Sequence, residues 1–146
     1  MNECHIYIET SLNWPKKGNA IVGIIFTDKG DEHSKTLFGQ VKDCNTNLAI
    51  LSGLKNALKY CESFTTIHFH LSNSYVAGGF GRLAAWEASN WLTSRKQPVK
   101  YTSEWQCISE AIKGKTIEIH LDQFNGYYKW LKNECNNRAA KHGFIF

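Results

Sequence analysis

The sequence predicts a single α/β domain, residues 1–146, built on a mixed five-stranded sheet that helices cover. Three observations support this fold class. The chain has 146 residues, about the length at which one domain forms a single core. Its composition is 42% hydrophobic and 21% charged with only 2 prolines, which is typical of a globular protein. Its apolar pattern indicates three consecutive strands followed by strands that alternate with helices, so the sheet should contain antiparallel and parallel pairs.

The first three strands occupy the first third of the chain. Residues 5–9 form a short apolar and β-branched run, and the polar residues 13–19 after it indicate a turn. Residues 20–27 are apolar throughout, as expected of a central strand. After a turn at residues 28–31, the alternating residues 35–41 indicate the third strand, so the three strands form a meander.

The remainder of the chain alternates helices with strands. Apolar residues recur at three- and four-residue steps over residues 46–60, which predicts an amphipathic helix capped by Asn45 or Thr46. The same patterns predict a strand at 65–71, short helices at 73–80 and 83–93, a basic loop at 94–100, a helix capped by Ser103 that runs to about 112, a strand at 116–121 and a last helix at 128–141.

Composition also narrows the class of protein. No apolar run approaches the roughly 20 residues that cross a bilayer, and the first residues are not those of a secretory signal, so we expect no membrane association and a cytoplasmic location. Five cysteines without a CxxC pair predict reduced, mostly buried thiols. The net charge is +4, and its excess lies between residues 92 and 141, where nine Lys and Arg face five Asp and Glu.

Several stretches of the chain resemble one known family. They are IYIETS at residues 6–11, NTNLAILSGLKNAL at 45–58, LSNSYV at 71–76 and WEASNWLTSRKQPVKYTSEWQ at 86–106. Their order and spacing are similar to those of the ribonuclease H family in its type 1 form. The resemblance implies the RNase H-like fold, with a three-stranded antiparallel meander, two parallel strands and helices on both faces. It also implies the family's chemistry, in which four carboxylates hold two Mg²⁺ ions that cleave the RNA strand of an RNA/DNA hybrid.

The four catalytic positions implied by the resemblance have mostly lost their charge. Glu9 stands at the first position, Thr46, or Asn47 with a shift of one residue, at the helix position, Ser72 after the fourth strand, and Asn137 in the last helix. Neutral side chains do not offset two divalent cations. We therefore expect no bound cofactor, and Mg²⁺ or Mn²⁺ only if activity survives.

One carboxylate could partly replace the lost ones. Glu134 precedes Asn137 by nearly one helical turn, so the two share a face, and Glu134 could hold a single metal ion weakly together with Glu9. The alternative is a solvated helix carboxylate. The loop at residues 122–128 also lacks the His that the family carries before its last helix.

The sequence keeps more of the residues that the family uses to bind nucleic acid than of those that it uses for catalysis. Trp86, Trp91, Arg95, Lys96 and Lys100 match the basic protrusion with which the family grips the DNA strand of a hybrid. The neutral donors Asn45, Asn47 and Asn73 fall near strand ends where a backbone phosphate or ribose would pass. Tryptophans at this spacing are also typical of a packed core, and we expect at least two of Trp86, Trp91 and Trp105 to be largely buried.

Histidines on two strands form a separate pattern. His68 and His70 are two residues apart and therefore face the same side of one strand, and His120 and Asp122 have a similar spacing on the last strand. Such pairs permit a metal site or an acid-base pair, and equally a row of packed or exposed imidazoles.

Three functional hypotheses remain from the sequence. The first is a protein that binds RNA/DNA hybrid or double-stranded RNA without the two-metal nuclease activity. The second is an active or weakly active ribonuclease H that uses Glu9 and Glu134. The third is a protein-interaction module on the same fold. Loss of carboxylates argues against the second hypothesis, and retention of the basic loop argues against the third. The sequence leaves the oligomeric state open.

Overall fold

A computed structural model describes residues 3–28, 34–122 and 126–143. The strands are β1 (Glu3–Thr10), β2 (Gly18–Asp28), β3 (Ser34–Cys44), β4 (Thr66–Leu71) and β5 (Thr116–Leu121). The helices are α1 (Thr46–Ala57), α2 (Ser74–Phe80), α3 (Leu83–Ala88), α4 (Thr102–Ala111) and α5 (Tyr128–Lys141), with one 3₁₀ turn at Leu58–Tyr60. The predicted element order is confirmed, and the predicted turn at 28–31 lies mostly outside the described residues.

The five strands form one sheet in the order β3-β2-β1-β4-β5. The pairs β1–β2 and β2–β3 are antiparallel, whereas β1–β4 and β4–β5 are parallel. This confirms the mixed sheet of a meander with two parallel strands. Parallel pairing brings the carboxyl ends of β1 and β4 to the same edge of the sheet.

Helices cover both faces of the sheet. Side chains of α1, α2 and α4 form the main core with one face, and the indole of Trp105 on α4 is fully buried there. Helix α5 packs on the opposite face against β1 and β2 through Leu131, Cys135 and Ala139. It lies close because Gly23 of β2 has no side chain: a Cβ there would come within 2.7 Å of Leu131 and 2.8 Å of Cys135.

Two of the differences from the predicted helix boundaries involve left-handed residues. Helix α3 ends at Ala88 rather than at 93, because Asn90 and Trp91 adopt left-handed backbone conformations with φ of 60° and 62°. The turn lets the Trp91 N–H donate to the Trp86 carbonyl at 2.7 Å. Helix α4 begins at Thr102 and not after Ser103, and its N-cap residue Tyr101 is also left-handed, with no side-chain cap. A helical pattern does not reveal such turns because they follow from tertiary packing.

Two other expectations concern membrane-spanning helices and the cysteine thiols. In the described parts of the chain, no helix is long and apolar enough to cross a membrane. All five cysteines are free thiols, and four of them are buried while Cys107 is exposed, which confirms the expectation of reduced, mostly buried cysteines.

Candidate functional site

Glu9 and Ser72 meet at the carboxyl ends of β1 and β4. The parallel register pairs Tyr7 with His70, so Glu9 and Ser72, each two residues further along, face one another. The Ser72 hydroxyl donates to Glu9 Oε2 at 2.7 Å. Glu9 is only 5% exposed, and its burial raises the pKa of the carboxyl to about 7, although the Ser72 hydrogen bond and the charge of Lys132 act in the opposite direction.

Helix α5 contributes Lys132 to the cavity that contains Glu9. The Lys132 ammonium donates to the Thr10 carbonyl at 2.5 Å, and both Lys132 and Glu9 line the same cavity of about 680 Å³. Burial lowers the pKa of Lys132, while the charge of Glu9 raises it. The close approach of α5 over Gly23, which pairs with Glu9 in the sheet register, brings the lysine to this position. The sequence did not predict Lys132 as a site residue, because a helical pattern does not show which residues of α5 contact β1.

Asn137 and Glu134 lie elsewhere on α5. Both line a different cavity, with Arg138, and Asn137 is exposed. Each residue turns a helix by about 100°, so Asn137 is about 140° round the axis from Lys132, and Glu134 is about 200° away. Lys132, rather than the expected Asn137, therefore lines the cavity of Glu9, and Glu134, the possible substitute, lines a different cavity.

The start of α1 supplies the third side of the Glu9 cavity. Asn45 is the N-cap residue of α1, and its side-chain oxygen accepts from the Leu48 N–H at 2.8 Å. Thr46, Asn47 and Ile50 line the cavity, and none of them carries a charge. The first turn of α1 contains no acidic residue either. Whether the family's helix carboxylate corresponds to Thr46, Asn47 or Ile50, the charge is lost.

Asn73 joins α1 to α2 beside the same cavity. Its side-chain oxygen accepts from the Val76 N–H at 3.0 Å and caps α2, while its amide nitrogen donates to the Asn47 side-chain oxygen at 2.8 Å. Two of the three asparagines predicted as donors to nucleic acid are thus bonded to each other. Their amides fix the two helix starts relative to one another.

These residues do not fit two Mg²⁺ ions. Magnesium demands oxygen ligands, usually carboxylates, and several retained waters. Among the described residues that line the cavity, Glu9 is the only carboxylate, and Lys132 adds a positive charge beside it. An ammonium at this point repels a divalent cation.

Trp14 stands at the rim of the cavity. It belongs to the connection between β1 and β2, lines the Glu9 cavity and is 73% exposed. An indole so exposed offers a face on which a base or sugar can stack. The sequence pattern indicated only a turn at this point. A tryptophan within a polar turn was the signal that could have indicated a binding residue.

The basic loop between α3 and α4 is a closed, exposed structure. Thr93 N–H donates to the Gln97 carbonyl at 2.7 Å, and Val99 N–H donates to the Trp91 carbonyl at 3.0 Å. Arg95, Lys96 and Lys100 are all exposed on it. The backbone therefore holds the loop, and the three cationic side chains project from it into solvent.

The tryptophans serve as the base of this loop. Trp105 is fully buried, and Trp86 and Trp91 are partly buried against the core cluster. The Trp86 ring lies 5.4 Å from that of Trp105 and 6.1 Å from that of Trp91. Trp86 and Trp91, predicted as nucleic-acid contacts, are thus mainly packing residues that support the loop.

A second cavity connects the loop to α1. It is lined by Lys17, Asn45, Lys100 and Tyr101, among others. Asn45 donates from its amide nitrogen to the Tyr101 hydroxyl at 2.6 Å, and the Lys100 ammonium lies 5.2 Å from the centre of the Tyr101 ring. Because Asn45 lines this cavity and the adjacent Thr46 lines the Glu9 cavity, the start of α1 separates two neighbouring depressions on one surface.

Fold and site together define a protein of the RNase H-like class. Comparison with known proteins gives the family. The chain is 31% identical over 116 residues to a ribonuclease H of Albidiferax ferrireducens, covering 79% of this chain and 78% of that one. It is 28% identical over 117 residues to a ribonuclease H of Clostridium botulinum, covering 75% and 72%. This chain therefore belongs to the ribonuclease H family.

Solved structures agree on the fold. LC9-RNase H1, a type 1 RNase H, has a TM-score of 0.73 at 14% identity, covering 97% of this chain and 74% of that one. The foamy viral protease-reverse transcriptase in complex with RNA/DNA hybrid has a TM-score of 0.65 at 17% identity, covering 98% of this chain and 20% of that one. No protein-family profile matches the chain.

Proposed function

We propose that this protein binds RNA/DNA hybrid or double-stranded RNA through its backbone and does not cleave it by two-metal chemistry. The observation that carries the proposal is the ammonium of Lys132 beside Glu9 in the cavity where the family holds its metal ions. A fixed internal cation there removes the net negative charge that a divalent ion requires. The same cation suits a phosphate that enters the cavity.

Chemical groups for backbone binding surround the cavity. Lys100 and Lys17 line the neighbouring depression, Arg95 and Lys96 project from the basic loop, and Trp14 is exposed at the rim. Cations neutralise phosphates without regard to sequence, and an exposed indole stacks on any base or sugar. We infer recognition by shape and charge rather than by base sequence.

A foamy viral relative in fold was solved with an RNA/DNA hybrid, which suggests the hybrid as the first ligand to test. Duplex RNA shares with the hybrid a wide, shallow minor groove that displays 2′-hydroxyls, and duplex DNA lacks those hydroxyls. Labelled hybrid, duplex RNA and duplex DNA of equal length are titrated with the full chain at about 50 and 200 mM salt. We expect affinity in the micromolar range or tighter at the lower salt, a fall as salt rises, and preference for hybrid or duplex RNA over duplex DNA.

A cleavage assay separates this proposal from an active nuclease. Hybrid is incubated with the protein in Mg²⁺ and in Mn²⁺, and the Glu9→Gln variant is the matched control. We expect no cleavage that depends on Glu9. Metal-dependent cleavage that Glu9→Gln abolishes would establish a nuclease. If none of the three duplexes binds the protein at low salt, the result would favour the protein-interaction module.

A further inference from the structure

A cluster of histidines lies on the sheet away from the Glu9 cavity. His5 of β1, His68 and His70 of β4 and His120 of β5 all face the side of the sheet on which α5 packs. Their rings stack side by side: His5 and His68 lie 4.2 Å apart between ring centres, and His70 and His120 lie 4.7 Å apart. This face is open to solvent at β5, where His120 is exposed.

Three potential metal ligands converge at the edge of this cluster. His68 Nδ1 lies 2.9 Å from Glu118 Oε2 and 3.1 Å from His120 Nε2, and one ligand atom of each residue falls within 4.8 Å of the others. The parallel register between β4 and β5 pairs His68 with Glu118 and His70 with His120. Pairing of the two strands therefore creates the group, which neither strand contains alone.

The other nitrogen of His68 is already bonded to a carboxylate. His68 Nε2 lies 3.1 Å from Glu3 Oε1, and His68 is buried. In metal sites, a ligating histidine almost always donates its second ring N–H to a carboxylate or carbonyl, which sets the tautomer and orients the ring. Glu3 stands in this position, and it leaves Nδ1 of His68 as the nitrogen that can bind a metal.

The single N–H of a neutral His68 does not account for the contacts within the group. A neutral imidazole carries one N–H, and an ionised carboxylate only accepts. With its proton on Nε2 toward Glu3, His68 presents the lone pair of Nδ1 to the Glu118 oxygen, and two acceptors 2.9 Å apart repel. A cation between them removes the repulsion. A proton bridges only two of the three atoms, whereas a metal ion binds all three.

We propose that His68 Nδ1, Glu118 Oε2 and His120 Nε2 form a binding site for a divalent transition metal of the zinc class, with Glu3 orienting His68. Zinc binds imidazole nitrogen and carboxylate oxygen at about 2.0–2.2 Å, which sets ligand atoms roughly 3.4 Å apart around a tetrahedral ion. The separations of 2.9 and 3.1 Å need only small adjustments. Three protein ligands leave the fourth position to a water.

The proposed site differs from the family's magnesium chemistry in donors and in place. Imidazole ligands suit zinc, copper and nickel, whereas magnesium takes oxygen ligands. The site also has a structural consequence. It connects β5, the edge strand of the sheet, to β4 through the metal and to β1 through Glu3, so binding of the ion should stabilise that edge.

Zinc binding to the full chain, freed of metal and carrying no histidine tag, tests the proposal. Competition against a coloured chelator at pH 7.5 should give one site per chain. Glu118→Gln and His120→Ala each remove a ligand that is exposed, so the variants should fold, and we expect zinc affinity to fall about 100-fold or more. Glu3→Gln should weaken binding by about 10- to 100-fold. Co²⁺ in place of zinc should show visible absorption that His120→Ala loses.

Two variants control for adventitious binding. His142→Ala removes a histidine at the end of α5, and Cys107→Ser removes the exposed thiol, and both should bind zinc like the parent. Zinc at about 100 times its Kd should also raise the melting temperature of the parent by roughly 5–10 °C and leave that of Glu118→Gln nearly unchanged.

The proposal fails under either of two results. One is the absence of stoichiometric zinc at about 100 µM free metal, which would mean that His68 is held between Glu3 and Glu118 as an imidazolium. The other is binding that survives Glu118→Gln and His120→Ala but is lost in Cys107→Ser. Neither result bears on nucleic-acid binding, because the histidine cluster and the Glu9 cavity share no lining residue.

Discussion

The Glu9 cavity and the basic loop hold their cations in opposite ways. In the cavity, Lys132 is half-buried, bonded to the Thr10 carbonyl and set beside a buried carboxylate. On the loop, Arg95 and Lys96 are exposed, and hydrogen bonds of the backbone and of the Thr93 hydroxyl maintain the shape of the chain. A buried charge must be matched by specific neighbours, whereas an exposed one is solvated wherever it lies. A buried metal site is therefore sensitive to single replacements, whereas phosphate attraction to exposed cations tolerates them.

The strongest challenge to this comparison is to restore negative charge in the cavity. Ser72→Asp with Lys132→Asp places two carboxylates beside Glu9 and removes the competing ammonium. We expect Mn²⁺ binding to appear at millimolar concentrations or below, measured by calorimetry or by the paramagnetic relaxation of water.

The matched control is Ser72→Asp with Asn137→Asp. It adds the same number of carboxylates but keeps Lys132, and residue 137 lines a different cavity. We expect this variant to bind no Mn²⁺ in the Glu9 cavity. Equal Mn²⁺ binding by both double variants would show that the Lys132 ammonium does not exclude the ion.

The buried carboxylate should make stability depend on pH. Glu9 has a pKa of about 7 in the fold against 4.5 for a solvated Glu carboxyl, so its contribution is fully present below pH 4.5 and is lost as pH rises through 7. The difference in unfolding free energy between the parent and Glu9→Gln should shift by about 3 kcal/mol from pH 4.5 to 8. Urea unfolding at a series of pH values measures it.

The parent and the Glu9→Gln variant must be compared, because the titration of another group changes the stability of the parent with pH in the opposite direction. Burial and the neighbouring histidines lower the pKa of His70 to about 4, so its contribution is present above pH 6.5 and is lost as pH falls toward 4. Glu134→Gln keeps both groups and should follow the parent. A parent and a Glu9→Gln variant with parallel stability profiles would mean that Glu9 is already charged in the fold.

The loop should dominate the electrostatic part of binding. Arg95→Ala, Lys96→Ala and Lys100→Ala together should lower hybrid affinity roughly 10- to 100-fold at low salt and reduce the salt slope by about two to three units. Folding should be unaffected, since the three side chains are exposed. Fluorescence anisotropy at several salt concentrations measures both effects.

An equal loss of charge elsewhere provides the control for the loop variant. The control variant carries Lys55→Ala, Lys59→Ala and Lys113→Ala. These three lysines line a cavity that contains no residue of the basic loop or of the start of α1. We expect this variant to retain most of the affinity and the salt slope. Equal losses in both triple variants would indicate attraction to net charge rather than a loop contact.

Trp14 should contribute the smallest effect of the four. Stacking of a base on an aromatic ring is worth about 1–3 kcal/mol, and Trp14→Ala should therefore weaken hybrid binding about tenfold without changing its salt slope. Trp14→Phe should recover part of the loss. If Trp14→Ala also reduced the salt slope, the role of Trp14 would be to maintain the conformation of the connection between β1 and β2 rather than to stack on a base.

Much of the fold followed from the sequence alone. Apolar runs and their periods predicted all five strands and the order of helices, because a strand or helix that buries one face must repeat apolar residues at its own period. The motif after β4 also brought Ser72 to Glu9, since parallel strands place their carboxyl ends together. Local pattern and strand direction were sufficient for both.

Tertiary structure alone decided which residues share a site. Lys132 lines the Glu9 cavity because α5 packs closely over Gly23, and a shift of a few residues along a helix changes the face that a side chain occupies. The register of β4 against β5 likewise brought Glu118 and His120 to His68. These contacts join residues far apart in the chain, and a periodic pattern carries no record of them, because it specifies which face is buried and not which element covers it.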